Sequence, residues 1–157
     1  MDAFTYLAMI KVVLIITLVF LAYIDLRSFQ LPDVITLPMI TVGIIFNAVG
    51  TPPYTGLANP ISSLLGAITG FTLLWALDKM YYWTKKQHGI GLGDAKLLSA
   101  LGAWLGMSSI PNILLIASIS GAIGGALWLR YQKQTIQSAF PFGPFLVFAG
   151  IIELLWP

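Results

Sequence analysis

Six apolar segments, separated by short polar connectors, follow one another along this chain of 157 residues. They run roughly over residues 4–24, 34–50, 60–82, 94–108, 110–129 and 140–156. A helix needs about 20 apolar residues to cross the hydrocarbon core of a bilayer. The first, third and fifth segments reach that length, and the second and sixth lie near its lower limit. The fourth is short and contains glycine, so we expect part of it to lie within protein rather than lipid.

Charged residues make up 9% of the chain, whereas soluble domains average about 25%. We therefore predict an all-α integral membrane protein, a single transmembrane domain over residues 1–157 with about six transmembrane helices. The sequence has no cysteine and one histidine, which excludes a thiolate nucleophile and a metal site built from several histidines. We expect no metal, no cofactor and no nucleic-acid partner; the oligomeric state is left open.

The basic residues are distributed asymmetrically between the connectors. Seven of the eight lie in or beside the first, third and fifth connectors: Arg27, Lys79, Lys85, Lys86, Lys96, Arg130 and Lys133. Cytoplasmic loops of membrane proteins are enriched in lysine and arginine. We therefore predict that these three connectors face the cytoplasm and that both termini lie on the other side of the membrane.

Two carboxylates are placed at the predicted cytoplasmic edge. Asp25 ends the first segment and Asp94 opens the fourth. Carboxylates in or near a membrane span are costly to desolvate, so they are candidates for function. A structural alternative for Asp94 is a helix N-cap, and one for Asp25 is an interfacial ion pair with Arg27. Two carboxylates that share a site do not both ionise easily, so one can act as general base and the other as general acid.

Gly91 and Gly93 precede Asp94 in a Gly-x-Gly-Asp pattern. Without side chains they would let a peptide substrate approach closely, and they permit a positive φ. Lys96 lies two residues beyond Asp94. We expect it either to be only one of the positive charges that orient the protein in the membrane, or to neutralise local charge or contact a substrate carbonyl. Asp33 follows Pro32 and is interpreted as a helix N-cap.

A break at residues 141–146, "PFGPFL", is expected to begin the sixth helix, with a proline near its first position. Pro141, Gly143 and Pro144 are its candidate motif residues. His88, beside two lysines, is expected to be solvated. Lys11, within the first span, is expected to reach the interface or face the bundle.

Two stretches, "YIDLRSFQLPDVITLP" and "GIGLGDAKLLSALGAWLG", resemble the signature regions of the type IV prepilin peptidases, which are bacterial membrane aspartic proteases. "PFGPFL" resembles a third, weaker motif. The resemblance covers the chain from Asp25 onward and implies that Asp25 and Asp94 are the catalytic pair. It implies Gly91, Gly93 and Lys96 as motif residues, and Asp33 as a characteristic position outside that pair.

The resemblance also implies a substrate and a location. The family removes a short basic leader from prepilins and pseudopilins of type IV pili and type II secretion. Cleavage occurs after a glycine, on the cytoplasmic side of the bacterial inner membrane, which the enzyme crosses several times. Longer members carry a further N-terminal domain, often with Cys-x-x-Cys pairs, and methylate the new pilin N-terminus. This chain resembles the peptidase half, so we expect it not to methylate.

Two other classes of function compete with the peptidase. In an ion pathway or transporter, Asp25 and Asp94 would bind or relay cations. Two observations argue against this class: both aspartates lie on one predicted side rather than at the midplane, and no paired half-repeat is evident. In a scaffold of a pilus or secretion machine, neither would be catalytic.

Overall fold

A computed structural model describes residues 2–50, 56–132 and 141–156 of the protein. The described part is helical and contains no strand. The helices are α1 (Ala3–Ser28), α2 (Asp33–Val49), α3 (Pro60–Lys85), α4 (Leu92–Leu105), α5 (Ile110–Gln132) and α6 (Gly143–Leu155), with one 3₁₀ turn at Met107–Ser109. The predicted all-α class is confirmed, and each apolar segment overlaps one of these helices.

Three helical stretches in the described residues are long and apolar enough to cross a membrane: Ala3–Ser28, Pro60–Lys85 and Met107–Tyr131. They correspond to the first, third and fifth apolar segments, as the sequence predicted. At about 1.5 Å per residue, 26 residues exceed the hydrocarbon core of about 30 Å. The protein is therefore a membrane protein, and the shorter helices α2, α4 and α6 pack among the long ones. The orientation of the termini stays a prediction.

Helix α4 lies inside the bundle, which confirms that the fourth segment is enclosed by protein. Of its 14 residues, nine are buried. Small residues bring it against α3: a methyl group on Gly66 would collide with the carbonyl of Gly102, and one on Gly102 with the carbonyl of Gly66. The Ser99 hydroxyl donates to the carbonyl of Ala67 over 2.8 Å. The α3–α4 pair is thus held by backbone contact and by a buried hydrogen bond.

The backbone of α1 packs closely against that of α6, which in turn packs against α4 and α5. Helices α1 and α6 run in opposite directions, with Gly143 next to Asp25 at one end. At the other end, the Lys11 ammonium donates to the carbonyl of Leu154 over 2.9 Å. Lys11 therefore faces the bundle and binds the last turn of α6, where cations interact favourably with the helix dipole.

Candidate active site

Asp25 and Asp94 line one cavity of about 910 Å³, at the end of the bundle where α1 ends and α4 begins. Its walls come from the connector between α1 and α2, the connector that leads into α4, and the residues before α6. The structure thus brings together the two carboxylates that the sequence singled out. Their catalytic roles stay predictions.

Asp25 lies in the last turn of α1 and is only 5% exposed. Gly143 lies directly against its carboxylate, and Oδ2 is buried without a hydrogen-bond partner in the part of the chain that the structure describes. Among those residues no ion pair joins Asp25 to Arg27, whose guanidinium lies 5.3 Å from the centre of the Tyr23 ring. The interfacial ion pair considered for Asp25 is therefore wrong.

Gly143 begins α6 at a place where only glycine fits without displacing Asp25. A Cβ atom on Gly143 would collide with Oδ2 of Asp25 and lie 2.9 Å from its Cγ. The first N–H groups of a helix have no partner within the helix, and its N-terminus favours negative charge. The start of α6 thus lies directly against the carboxylate of Asp25.

Asp94 lies in the first turn of α4 and is half-buried. The N-cap of α4 is Gly91, with φ −70° and ψ 140°, so the N-cap interpretation of Asp94 is wrong. Its carboxylate is close enough to Asp25 for the two to interact electrostatically. Asp25 and Asp94 come from helices far apart in the sequence, and they form one pair in space.

The two motif glycines have different surroundings. A Cβ atom on Gly91 would meet nothing closer than Oδ2 of Asp94 at 3.9 Å, so Gly91 leaves open space beside that carboxylate. One on Gly93 would lie 3.1 Å from Cβ of Leu31, so Gly93 lets α4 pack against the α1–α2 connector. Gly91 has a negative φ and Gly93 is helical; neither uses the positive φ that glycine permits.

Asp33 and Lys96 form an ion pair at the cavity wall, with Nζ 2.6 Å from Oδ1. Asp33 is the first residue of α2, and the N-cap is Pro32, with no side-chain capping hydrogen bond. The N-cap interpretation of Asp33 is therefore wrong. Lys96 balances its charge and links α4 to α2; contact between Lys96 and a substrate stays a prediction.

The "PFGPFL" break forms the start of α6, as predicted. Gly143 is the first residue of that helix, and Pro144, the second, has a fixed φ that suits the first turn. Pro141 and Phe142 line the cavity. The three candidate residues of this motif thus lie at or beside the wall next to Asp25.

The sequence prediction missed one carboxylate, Asp78, which is 4% exposed in the last third of α3. Its Oδ1 accepts from the N–H groups of Gly89 and Ile90, each at 3.0 Å, and its Oδ2 lies 2.7 Å from Nδ1 of His88. His88 is 65% exposed but bound, so the expectation of a merely solvated side chain is wrong. The available signal was an aspartate within an apolar span, which is costly without partners.

The chain was compared with known proteins. The model of the Type IV leader peptidase family matches residues 12–126, a region that contains both Asp25 and Asp94. A prepilin leader peptidase/N-methyltransferase of Aeromonas salmonicida is 42% identical over 143 residues, which cover 88% of this chain and 46% of that protein. The protein of the same name from Pseudomonas aeruginosa is 37% identical over 153 residues, covering 98% and 51%.

A third protein of that name, from Dickeya chrysanthemi, is 38% identical over 135 residues, covering 86% of this chain and 46% of that protein. The chain thus spans about half the length of these relatives. No solved structure matches it. The family match covers well over half of the chain, and it agrees with the resemblance that the two aspartate regions carry. The chain belongs to the Type IV leader peptidase family.

Proposed function

We propose that the protein is a membrane aspartic endopeptidase that removes the short leader of prepilins or pseudopilins, with Asp25 and Asp94 as its catalytic pair. The observation that carries this proposal is the cavity in which the two carboxylates meet, one from α1 and one from α4. The names of the relatives, prepilin leader peptidase/N-methyltransferase, support the same reaction.

Peptide hydrolysis by this pair needs one carboxylate to be ionised and the other protonated. The ionised carboxylate takes a proton from water as the water oxygen attacks the carbonyl carbon of the scissile bond. The protonated carboxyl then supplies a proton to the leaving amine as the C–N bond breaks. The two groups titrate as a unit, so the base and the acid are not assigned to individual residues.

The surroundings of the pair fit these steps. Gly143 lies against one side of the Asp25 carboxylate, which limits the movement of that group while protons are transferred. Gly91 leaves space beside Asp94, where the backbone of an extended peptide can approach. A volume of about 910 Å³ is within the usual range of about 300–1,000 Å³ for ligand sites, and it accommodates a few residues of the substrate.

The substrate enters from the membrane. A prepilin has an apolar helix directly after its leader, and that helix would lie in the bilayer beside the long helices of the enzyme. The scissile bond would then reach the membrane surface, where the cavity lies if the charge asymmetry sets the topology. We therefore place the enzyme in the bacterial cytoplasmic membrane, as a multi-pass protein whose active site faces the cytoplasm. The expectation that it does not methylate its product stays a prediction.

Co-expression with a prepilin tests the proposed function. Asp25→Asn and Asp94→Asn keep side-chain size but remove the titrating group, so either change should abolish the gel shift that reports leader removal. Asp2→Asn is the control, since Asp2 is an exposed carboxylate outside the cavity. All three variants should insert into the membrane in normal amount. Near-normal cleavage by either single variant would show that the pair is not the catalytic group.

A further inference from the structure

Asp78 holds the connector that leads into α4 by three consecutive residues. Its Oδ1 accepts both amide hydrogens of Gly89 and Ile90, and its Oδ2 faces the imidazole of His88. The carboxylate is buried at the end of α3 that lies nearest this connector. Hydrogen bonds to a charged acceptor are stronger than neutral ones, so this is a fixed attachment of the connector to α3.

The connector is also packed directly on α3. A Cβ atom on Gly89 would lie 2.7 Å from Cδ1 of Tyr81, so the backbone at Gly89 lies against that ring. The imidazole of His88 stacks on Tyr82, with 4.8 Å between ring centres. The position of the connector is therefore set by its contacts with the C-terminal part of α3.

The attached connector lies between α3 and the catalytic pair. His88, Gly89 and Ile90 all line the cavity. The next residue, Gly91, is the N-cap of α4, and Asp94 lies in the first turn of that helix. A shift of the connector would thus move a wall of the cavity and the start of the helix that carries Asp94.

We propose that Asp78 is a positioning residue for the peptidase reaction, which fixes the wall of the cavity and the first turn of α4. This inference rests on the proposed function. Asp78 does not act on the substrate itself, because both of its oxygens already have partners within the protein. Its effect on the rate passes through the connector to Asp94.

The test compares Asp78→Leu, Asp78→Asn and the control Asp2→Asn in the purified full chain. Asp78→Leu removes every polar contact with the connector, whereas Asp78→Asn keeps an oxygen that can accept from the two amides. The first readout is hydrogen exchange at Gly89 and Ile90, which reports local opening. The second is the kinetics of leader removal, with kcat and KM determined separately.

We expect exchange at these two amides to be at least about tenfold faster in Asp78→Leu, since bonds to a charged acceptor are lost. We expect its kcat to fall by about 10- to 100-fold, the effect of a displacement of about 1 Å at a reacting group, with a much smaller change in KM. Asp78→Asn should change each quantity by about two- to fivefold, and Asp2→Asn should change neither.

Unchanged hydrogen exchange in folded Asp78→Leu would overturn the proposal. Faster exchange with a normal kcat would also overturn it, because the attachment of the connector would then be structural only. If Asp78→Leu does not fold, the proposal is tested with Asp78→Asn and His88→Ala. Both variants should exchange these amides faster and have a kcat that is a few-fold lower. The proposal is overturned if exchange or kcat is unchanged in these variants. A wild-type protein that cleaves no prepilin would instead refute the proposed function, while the exchange experiment still tests the attachment.

Discussion

Replacing Gly143 by alanine perturbs the catalytic pair with a single methyl group. The new Cβ atom would collide with Oδ2 of Asp25, and it would lie 2.9 Å from Cγ and 3.4 Å from Cβ of that residue. Non-bonded carbon atoms pack at about 3.5–4.0 Å. The carboxylate of Asp25 must therefore retreat by roughly 0.6–1 Å, or the start of α6 must move away by as much.

Neither movement leaves the site intact. A retreat would move the carboxylate of Asp25 away from its present place on the cavity wall, and a shift of α6 would move the segment that packs against it. A displacement of about 1 Å at a reacting group can lower the rate by about 100-fold, which corresponds to about 2.7 kcal/mol in the activation free energy. We expect Gly143→Ala to lower kcat by about 30- to 100-fold. The KM should change little, because the methyl group points at the carboxylate rather than into the cavity.

The assay is leader removal from a purified prepilin by the variant in detergent or liposomes, with thermal unfolding measured in parallel. Gly91→Ala is the matched comparison, since it adds the same methyl group beside the other carboxylate, 3.9 Å from Oδ2 of Asp94. That group extends into the cavity, so Gly91→Ala should raise KM more than it lowers kcat. A folded Gly143→Ala enzyme with a kcat within about threefold of wild type would refute the role given to the start of α6.

Two further predictions concern the surroundings of the site and its orientation. Asp33→Asn loses the ion pair with Lys96. Its activity should stay within about tenfold of wild type, because ion pairs this exposed contribute about 1 kcal/mol or less to stability. A loss of activity comparable to that of Asp94→Asn would instead show that Asp33 is a catalytic residue. In the chain without native cysteines, Asn59→Cys should react with an impermeant thiol reagent added outside intact cells and Lys85→Cys should not. The reverse pattern would put the cavity on the wrong side for a cytoplasmic leader.

The helices could be predicted from the sequence because a bilayer imposes one strong rule. A long continuous apolar segment forms a helix in lipid, because a helix satisfies the backbone hydrogen bonds within the segment itself. The burial of α4 was predictable for the same reason: a short segment with several glycines is poorly suited to face lipid alone. The meeting of Asp25 and Asp94 could be expected from topology, because the end of the first helix and the start of the fourth lie at the same predicted surface.

The contacts that fix the pair could not be predicted in this way. Gly143 packs on Asp25 across the bundle, and Lys96 reaches Asp33 across 63 positions of sequence. Such contacts depend on how closely two helices approach, and hydropathy carries no information about that distance. An N-cap was the interpretation of Asp33 and the structural alternative for Asp94, because the local sequence allowed both, but α2 begins at Asp33 itself and α4 begins at Leu92. Asp78 was missed because its partners become evident only once the connector is folded back onto α3.

The geometry of the pair depends on contacts remote from it, because the two carboxylates belong to different groups of helices. Asp25 is carried by α1, whose backbone packs closely on α6, whereas Asp94 is carried by α4, which packs on α3 and α2. The two groups of helices approach each other where α6 meets α4. There Gly150 faces Leu101, and a Cβ atom on Gly150 would lie 2.5 Å from Cδ2 of Leu101, so a larger residue would displace that side chain. Interiors packed this tightly transmit strain. We therefore expect three close glycine contacts outside the Gly-x-Gly-Asp pattern to contribute to the spacing of the carboxylates: Gly143 on Asp25, Gly150 on Leu101 and Gly89 on Tyr81.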